Sequence, residues 1–282
     1  MIRAVSVDAG TREGEGGSAT TVVLNSGPFT DEQRARLARR VGTSHTAFVA
    51  REDDEILDVR FFTRERELTG CGHGTIAVHA ALGRPGSRRQ TTGGRTFVVD
   101  TASAGAEFEV AFDQGVVTLT EVRAELWRAV SDALGLGARD FDAAAPPAIA
   151  SPGAPRLLLA VSPSGLGRLA PDLRRLEALT REAGLLGCFA YAAFDAERHY
   201  GARMFAPAIG VGEDVSNANS TGCLAALVTA MTGQPASITV DQGDHAGSPS
   251  RIVARGLPTS RGIVARLSGR AVVRGSEPIV LL

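Results

Sequence analysis

The sequence predicts a mixed α/β (α+β) fold of two similar halves, each a strongly curved sheet around one apolar helix, with a cleft between the halves. Three observations carry this reading. Short strand-like runs with alternating burial outnumber amphipathic helices. Two helical segments, residues 75–82 and 222–231, are apolar almost all round, so each must be buried. The order of elements also recurs: Arg60-Phe61-Phe62-Thr63, a glycine-rich turn and the first apolar helix are matched by Arg203-Met204-Phe205-Ala206-Pro207, a glycine and asparagine loop, and the second.

Residues 6–24 read as two strands joined by a glycine-rich loop over Gly14 to Ser18. Thr30-Asp31-Glu32-Gln33 is a capping box and opens a helix to about Val41. Residues 46–50 and 56–62 are strands; in the second, Leu57, Val59 and Phe61 alternate with Asp58 and Arg60. Strands follow at 96–100, 107–112 and 116–119. The Ala- and Pro-rich stretch 143–155 reads as a linker or crossover. Beyond it come a strand (156–161), a helix (173–183), strands at 188–194 and 201–205, the second apolar helix, and strands at 237–241, 251–254, 263–267 and 271–274.

Composition narrows the chemistry. Thirty basic residues stand against 31 acidic ones, which gives no electrostatic footprint for nucleic acid. The N-terminal residues enter a strand pattern with no signal-peptide stretch, and no apolar run is long enough for a membrane span. Cys71, Cys188 and Cys223 lack paired metal spacing and read as reduced thiols of a cytoplasmic protein. All 30 basic residues are arginine. Without lysine the chain forms no Schiff base with pyridoxal phosphate or a carbonyl, and supplies no P-loop lysine. Gly70-Cys71-Gly72-His73-Gly74 lacks the dinucleotide spacing. The five histidines show no HExxH pair. The expectation is therefore no metal, no organic cofactor, and acid–base work by His, Asp, Glu or Cys.

His73, between two glycines ahead of a buried helix, reads as either a ligand-facing or a solvated loop histidine. Asp214, ahead of the second helix, reads as either a functional or a capping carboxylate. His45 taken alone reads as an exposed turn residue, His79 as a satisfied core residue, and His199 and His245 as surface residues. Cys71 is a candidate nucleophile or base, or a small buried side chain. Arg60 and Arg203 face either the cleft or the solvent.

At these loops the sequence resembles the PhzF-like family of phenazine-biosynthesis isomerases, whose fold is that of diaminopimelate epimerase. Arg60-Phe61-Phe62-Thr63 and Cys71-Gly72-His73-Gly74-Thr75 are similar to its first signature, and Arg203 to Pro207 with Gly210-Val211-Gly212-Glu213-Asp214 to its second. Gln242-Gly243 with Gly247-Ser248-Pro249-Ser250 resembles its Gln-Gly and Gly-Arg-Pro-Ser turn. The resemblance implies two pseudo-symmetric domains, each a mostly antiparallel barrel-like sheet around a central helix: residues 1–121, completed by 266–282, and residues 122–265. It also implies a homodimer, no metal, no cofactor, and a proton shift on a small carboxylate.

The departures fall on the site. Ser44-His45-Thr46 stands where the family has Ser-Glu-Thr with its catalytic glutamate. Ser216 to Ser220 replaces an Ala-Thr-Gly-Ser-Ala segment, Gly16-Gly17-Ser18 a Gly-Asn-Pro loop, and Ser248 an arginine. The expected catalytic set is His45, His73 and Asp214. Substrate binding is expected from Cys71, Gly72, Gly74, Asn217, Asn219, Ser220, Gly17 and Ser18, with backbone N–H groups of Gly72, His73, Asn219 and Ser220 on the carboxylate. An unsaturated proline-type acid from specialised, antibiotic-type metabolism is the expected substrate. A two-base amino-acid epimerase is one alternative, though Asn217 stands where related epimerases carry their second cysteine. A binding protein without turnover is another.

Overall fold

The structure is a computed structural model and describes residues 2–142 and 145–279. β1 (Arg3–Thr11) and β2 (Ser18–Leu24) form a hairpin, and α1 (Asp31–Arg40) crosses to β3 (His45–Val49), parallel to β2. β4 (Ile56–Phe62) returns antiparallel and turns through β5 (Glu67–Leu68) into α2 (Gly72–Leu82). A meander of β6 (Gly86–Thr92), β7 (Arg95–Ala104) and β8 (Glu107–Glu121) follows, with β6 parallel to β4.

After α3 (Ala124–Ala133) the same plan repeats. β9 (Ala148–Ser151) pairs antiparallel with β10 (Arg156–Ala160), and α4 (Pro163–Arg168) and α5 (Leu173–Glu182) cross to β11 (Cys188–Ala193), parallel to β10. β12 (His199–Ala206) turns through β13 (Val211–Asp214) into α6 (Ala218–Thr232), and β14 (Ala236–Gln242), β15 (Ser250–Thr259) and β16 (Gly262–Pro278) close the chain, with β14 parallel to β12.

The repetition extends to side chains. Arg60 forks onto Glu67 at 2.7 and 2.6 Å, and Arg203 onto Glu213 at 2.8 and 2.7 Å. Each guanidinium also lies over the phenylalanine two residues on, Phe62 at 5.5 Å and Phe205 at 5.0 Å. Both arginines therefore pin a strand pair. α2 and α6 each end on a left-handed glycine, Gly83 and Gly233.

The two longest strands form the seam. β8 and β16 pair with each other, then diverge: the end of β8 pairs with β9, and the end of β16 pairs with β1. α2 and α6 pack against the inner side of this sheet in one apolar core. Their polar-poor sequences fit because both helices are buried along most of their length, and only the last turn of α6, with Met231, reaches water. α3, α4 and α5 cover the outside of the second half, and α1 that of the first. Among the described residues no helix is long and apolar enough to cross a membrane.

Several elements differ from expectation. The second apolar helix starts at Ala218, because Asn217 caps it. Residues 107–112 and 116–119 are one strand through a bulge, with Gly115 at φ +95°. Residues 263–267 and 271–274 are also one strand. Within 143–155, Ala148–Ser151 is strand β9, held on both sides by β8 and β10; residues 143 and 144 lie outside the described residues. β6 escaped notice because its sequence is polar, yet Gln90 and Thr92 are buried.

Candidate active site

The capping side chains bring the two central helices to one place. Cys71 caps α2, its Sγ accepting from Gly74 N–H at 3.3 Å; Asn217 caps α6, its Oδ1 accepting from Ser220 N–H at 2.9 Å. The two N-termini touch: a Cβ added at Gly72 would lie 2.8 Å from both Ala218 Cβ and Asn219 Oδ1. The N–H groups of Gly72, His73, Ala218 and Asn219 find no acceptor among the described residues, so four donors and two positive dipole ends share one small space.

His45, first residue of β3, reaches this space because β3 lies parallel to β2. Its ring meets that of His73 edge-to-face, with centroids 4.3 Å apart. His73 Nδ1 lies 4.0 Å from Asp214 Oδ2, and His73 Nε2 lies 3.4 Å from Cys71 Sγ. His45 Nδ1 lies 3.0 Å from Ser44 Oγ. Ser44 is exposed, and His45, His73, Asp214 and Cys71 are buried. They border a cavity of about 30 Å³ whose lining includes Gly72, Asn217, Asn219 and Arg156. A larger cavity of about 300 Å³ adjoins it and shares Cys71, Gly72, Asn219 and Arg156.

Burial separates the histidines electrostatically. Burial, with the charge of His73, pushes His45 down to about 3 despite Asp214. Burial also opposes charge on His73, but Cys71, Asp214 and the Ser216 backbone together outweigh it and push His73 up to about 9. Asp214 titrates below the usual carboxylate range: burial works against its charge, and the two histidines, Asn217 and the Ser216 backbone favour it. Near neutral pH the site thus holds a neutral imidazole beside an imidazolium–carboxylate pair.

Four expected binding residues are engaged elsewhere or lie away from these two cavities. Ser220 N–H is taken by the Asn217 cap, so it is not free for a carboxylate; its Oγ instead accepts from Arg156 Nη1 at 3.4 Å. Gly74 lines neither cavity; a Cβ there would meet the Phe61 ring at 2.7 Å, so the glycine serves the packing of α2 on β4. Gly17 and Ser18 also line neither cavity. Gly17 bonds to the Ser248–Pro249 turn, its N–H donating to Pro249 O at 2.9 Å and its C=O accepting from Ser248 Oγ at 2.7 Å.

His79 is buried, with Nε2 3.2 Å from Gln90 Oε1, and His199 bonds to Asp241 at 3.0 Å. Sequence reasoning passed over two residues. Arg156 opens an otherwise apolar strand, is 1% exposed, and donates to Ala154 O at 2.6 Å. Its Nε has no partner, and it makes no carboxylate ion pair among the described residues. A charged residue heading a strand of buried residues was the available signal. Gln114 sits at the β8 bulge, which aims its amide at α6, where it donates to Asn219 O at 3.1 Å.

Known proteins resemble this chain over most of its length. A relative from Deinococcus radiodurans, an uncharacterised isomerase, is 34% identical over 89% of this chain and 86% of its own. The trans-2,3-dihydro-3-hydroxyanthranilate isomerase of Pseudomonas aeruginosa is 30% identical over 90% of each chain. The crystal structure of a Bacillus anthracis phenazine biosynthesis protein of the PhzF family covers 99% of both chains at a TM-score of 0.85 and 20% identity, a likeness of fold. The family model for phenazine biosynthesis-like proteins matches residues 7–276, so the chain, with its duplicated halves and paired helix N-termini, belongs to the PhzC-PhzF family and is an isomerase.

Proposed function

We propose that the chain moves a proton, and with it a double bond, on a small unsaturated carboxylic acid, with His45 as base and His73, backed by Asp214, as acid. The observation that carries this reading is the convergence of the three side chains on one cavity between two helix N-termini. The substrate carboxylate, and the charge that develops as the C–H bond breaks, lie against the free N–H groups of Gly72, His73, Ala218 and Asn219, with the Arg156 guanidinium beside them. Neutral His45 accepts the proton from one carbon; protonated His73 returns one at another carbon of the conjugated system. His45 thus takes the part the family gives to glutamate.

The proline-type substrate, the antibiotic-type pathway and the homodimer belong to the same proposal and rest on the family resemblance; the cytoplasmic setting belongs to it too and rests on the three cysteines read as reduced thiols. A two-base epimerase with facing cysteines is disfavoured, because Asn217 holds the capping position in α6 that Cys71 holds in α2.

The test is incubation with an unsaturated proline-type acid in D₂O. A shifted ultraviolet spectrum with one deuterium at a new carbon supports the reading, and His45→Gln should slow it roughly 100- to 10,000-fold. Unchanged turnover in that variant would remove His45 from the mechanism. Exchange at Cα with loss of optical activity would make the protein an epimerase. Measurable binding without exchange would make it a binding protein.

A further inference from the structure

We propose that His45, Cys71 and His73 form a site for one divalent transition-metal ion of the zinc type. Their ligand atoms all lie within 4.8 Å of one another, and all three side chains are buried. A tetrahedral ion with bonds of about 2.0–2.1 Å to nitrogen and 2.3 Å to sulfur spaces its ligand atoms roughly 3.4–3.6 Å apart. Cys71 Sγ and His73 Nε2 already stand 3.4 Å apart. A small movement of His45 completes three corners. The small cavity beside them, about 30 Å³, has the volume of one water molecule for the fourth.

The surrounding groups are those a metal site requires. A histidine ligand binds with one ring nitrogen while the other is held by an oxygen. The His73 ring bonds to the Ser216 backbone, with Nδ1 4.0 Å from Asp214 Oδ2 and Nε2 toward Cys71; His45 Nδ1 lies 3.0 Å from Ser44 Oγ, which leaves its Nε2. Cys71 caps α2, and its Sγ, accepting from Gly74 N–H at 3.3 Å, is held at the helix N-terminus facing the two histidines. Charge also balances: the ion, one thiolate and the Asp214 carboxylate sum to zero in a buried space. The expectation of no metal rested on local spacing and on the family resemblance. This set is instead assembled from the start of β3 and the N-terminus of α2, whose cap Cys71 lies 26 residues further on, and it exists because histidine stands where the family has glutamate.

The proposal goes beyond the isomerase reading and does not rest on it. Ion and proton compete for the same nitrogen lone pairs, so a loaded site does not act as the acid–base pair and metal inhibits proton transfer. The full chain, stripped with a chelator and exchanged into metal-free buffer, is titrated with Co²⁺. A thiolate-to-cobalt charge-transfer band with the intense visible bands of a four-coordinate ion, saturating at one equivalent and displaced by Zn²⁺, is the expected result. Cys71→Ser should abolish the charge-transfer band, and Ser44→Ala, outside the ligand set, should weaken Zn²⁺ binding about tenfold. No charge-transfer band in the wild-type chain, or one that persists in Cys71→Ser, would overturn the proposal. Deuterium exchange by the stripped protein tests the isomerase reading separately: exchange without Co²⁺ binding sinks only the metal site, and Co²⁺ binding without exchange sinks only the isomerase.

Discussion

The side-chain amide of Asn217 donates to Asp214 Oδ2 at 2.8 Å while its oxygen caps α6 at Ser220 N–H. One residue thus fixes a candidate catalytic carboxylate and starts the helix whose N-terminus borders the cavity.

Two substitutions separate these roles. Asn217→Ala removes cap and donor, and should cost about 1 kcal/mol of stability in urea titrations. Asn217→Asp keeps a capping oxygen but places a second carboxylate against Asp214. It should retain most of the stability yet lose more activity than the alanine variant, because like charges disfavour the ionised Asp214 that partners His73. Equal stability loss in both variants would show that capping is not the main structural role.

Gly72 is set by the approach of two helices. An ordinary helical glycine gains up to about 1 kcal/mol on replacement by alanine. Here the added methyl would lie 2.8 Å from Ala218 Cβ and 2.8 Å from Asn219 Oδ1, and must push the N-termini of α2 and α6 apart. Gly72→Ala should therefore destabilise by roughly 1–3 kcal/mol and weaken binding of a planar carboxylate such as pyrrole-2-carboxylate. A rise in melting temperature would contradict the close approach.

The duplication was legible because both apolar helices follow an Arg-x-Phe strand end, and sequence order alone exposes that repeat. His73 and Asp214 were legible for the same reason, as each lies at a strand-to-helix loop. His45 became a candidate only by resemblance, since a histidine between helix and strand carries no signal of its own; only the parallel β2–β3 pairing brings it to His73. The free N–H groups were anticipated, but not their loss at Ser220, because that depends on which side chain of a Ser-Asn-Ala-Asn-Ser run becomes the cap. Arg156 was missed because a strand's first residue is ordinarily solvated, and here β9 and the Pro152–Ala154 turn cover it.

Arg156 exposes a conflict between stability and binding. Its guanidinium is buried with Nε unpartnered, and burial lowers its pKa despite Cys223 and Asp214. Replacing a buried charge with an apolar side chain of similar size is often neutral or stabilising by about 1–4 kcal/mol. Arg156→Met should therefore melt no lower than the wild type, while binding pyrrole-2-carboxylate roughly 10- to 100-fold more weakly, the cost of losing a hydrogen bond to a charged group. Unchanged binding would remove Arg156 from the anion site. A lower melting temperature with weaker binding would give it a structural role as well.

His79 gives the fold an acid-sensitive point away from the cavity. It is buried in α2 with Nε2 3.2 Å from Gln90 Oε1, whose own amide donates to Thr75 Oγ1 at 3.2 Å. Burial pushes its pKa down to about 4, with the charge of Arg88 acting in the same direction and the Gln90 hydrogen bond opposing it. In the unfolded chain the imidazole titrates near 6.5. Above that pH it is neutral in both states and stability does not change on its account. Between about 6.5 and 4 the unfolded chain takes up a proton that the folded chain refuses, so stability falls as pH falls, by up to about 3 kcal/mol. His73, raised to about 9, stays protonated in the folded chain throughout; its unfolded form still takes up a proton near pH 6.5, so it adds a smaller slope of opposite sign at the top of this window and none well below it. His45, lowered to about 3, adds a slope of the same sign. Urea midpoints at about pH 7 and about pH 5 should therefore differ less in His79→Gln, which cannot titrate but can still donate to Gln90, than in the wild type. An identical loss on acidification in both proteins would assign the sensitivity to His45 and leave His79 silent.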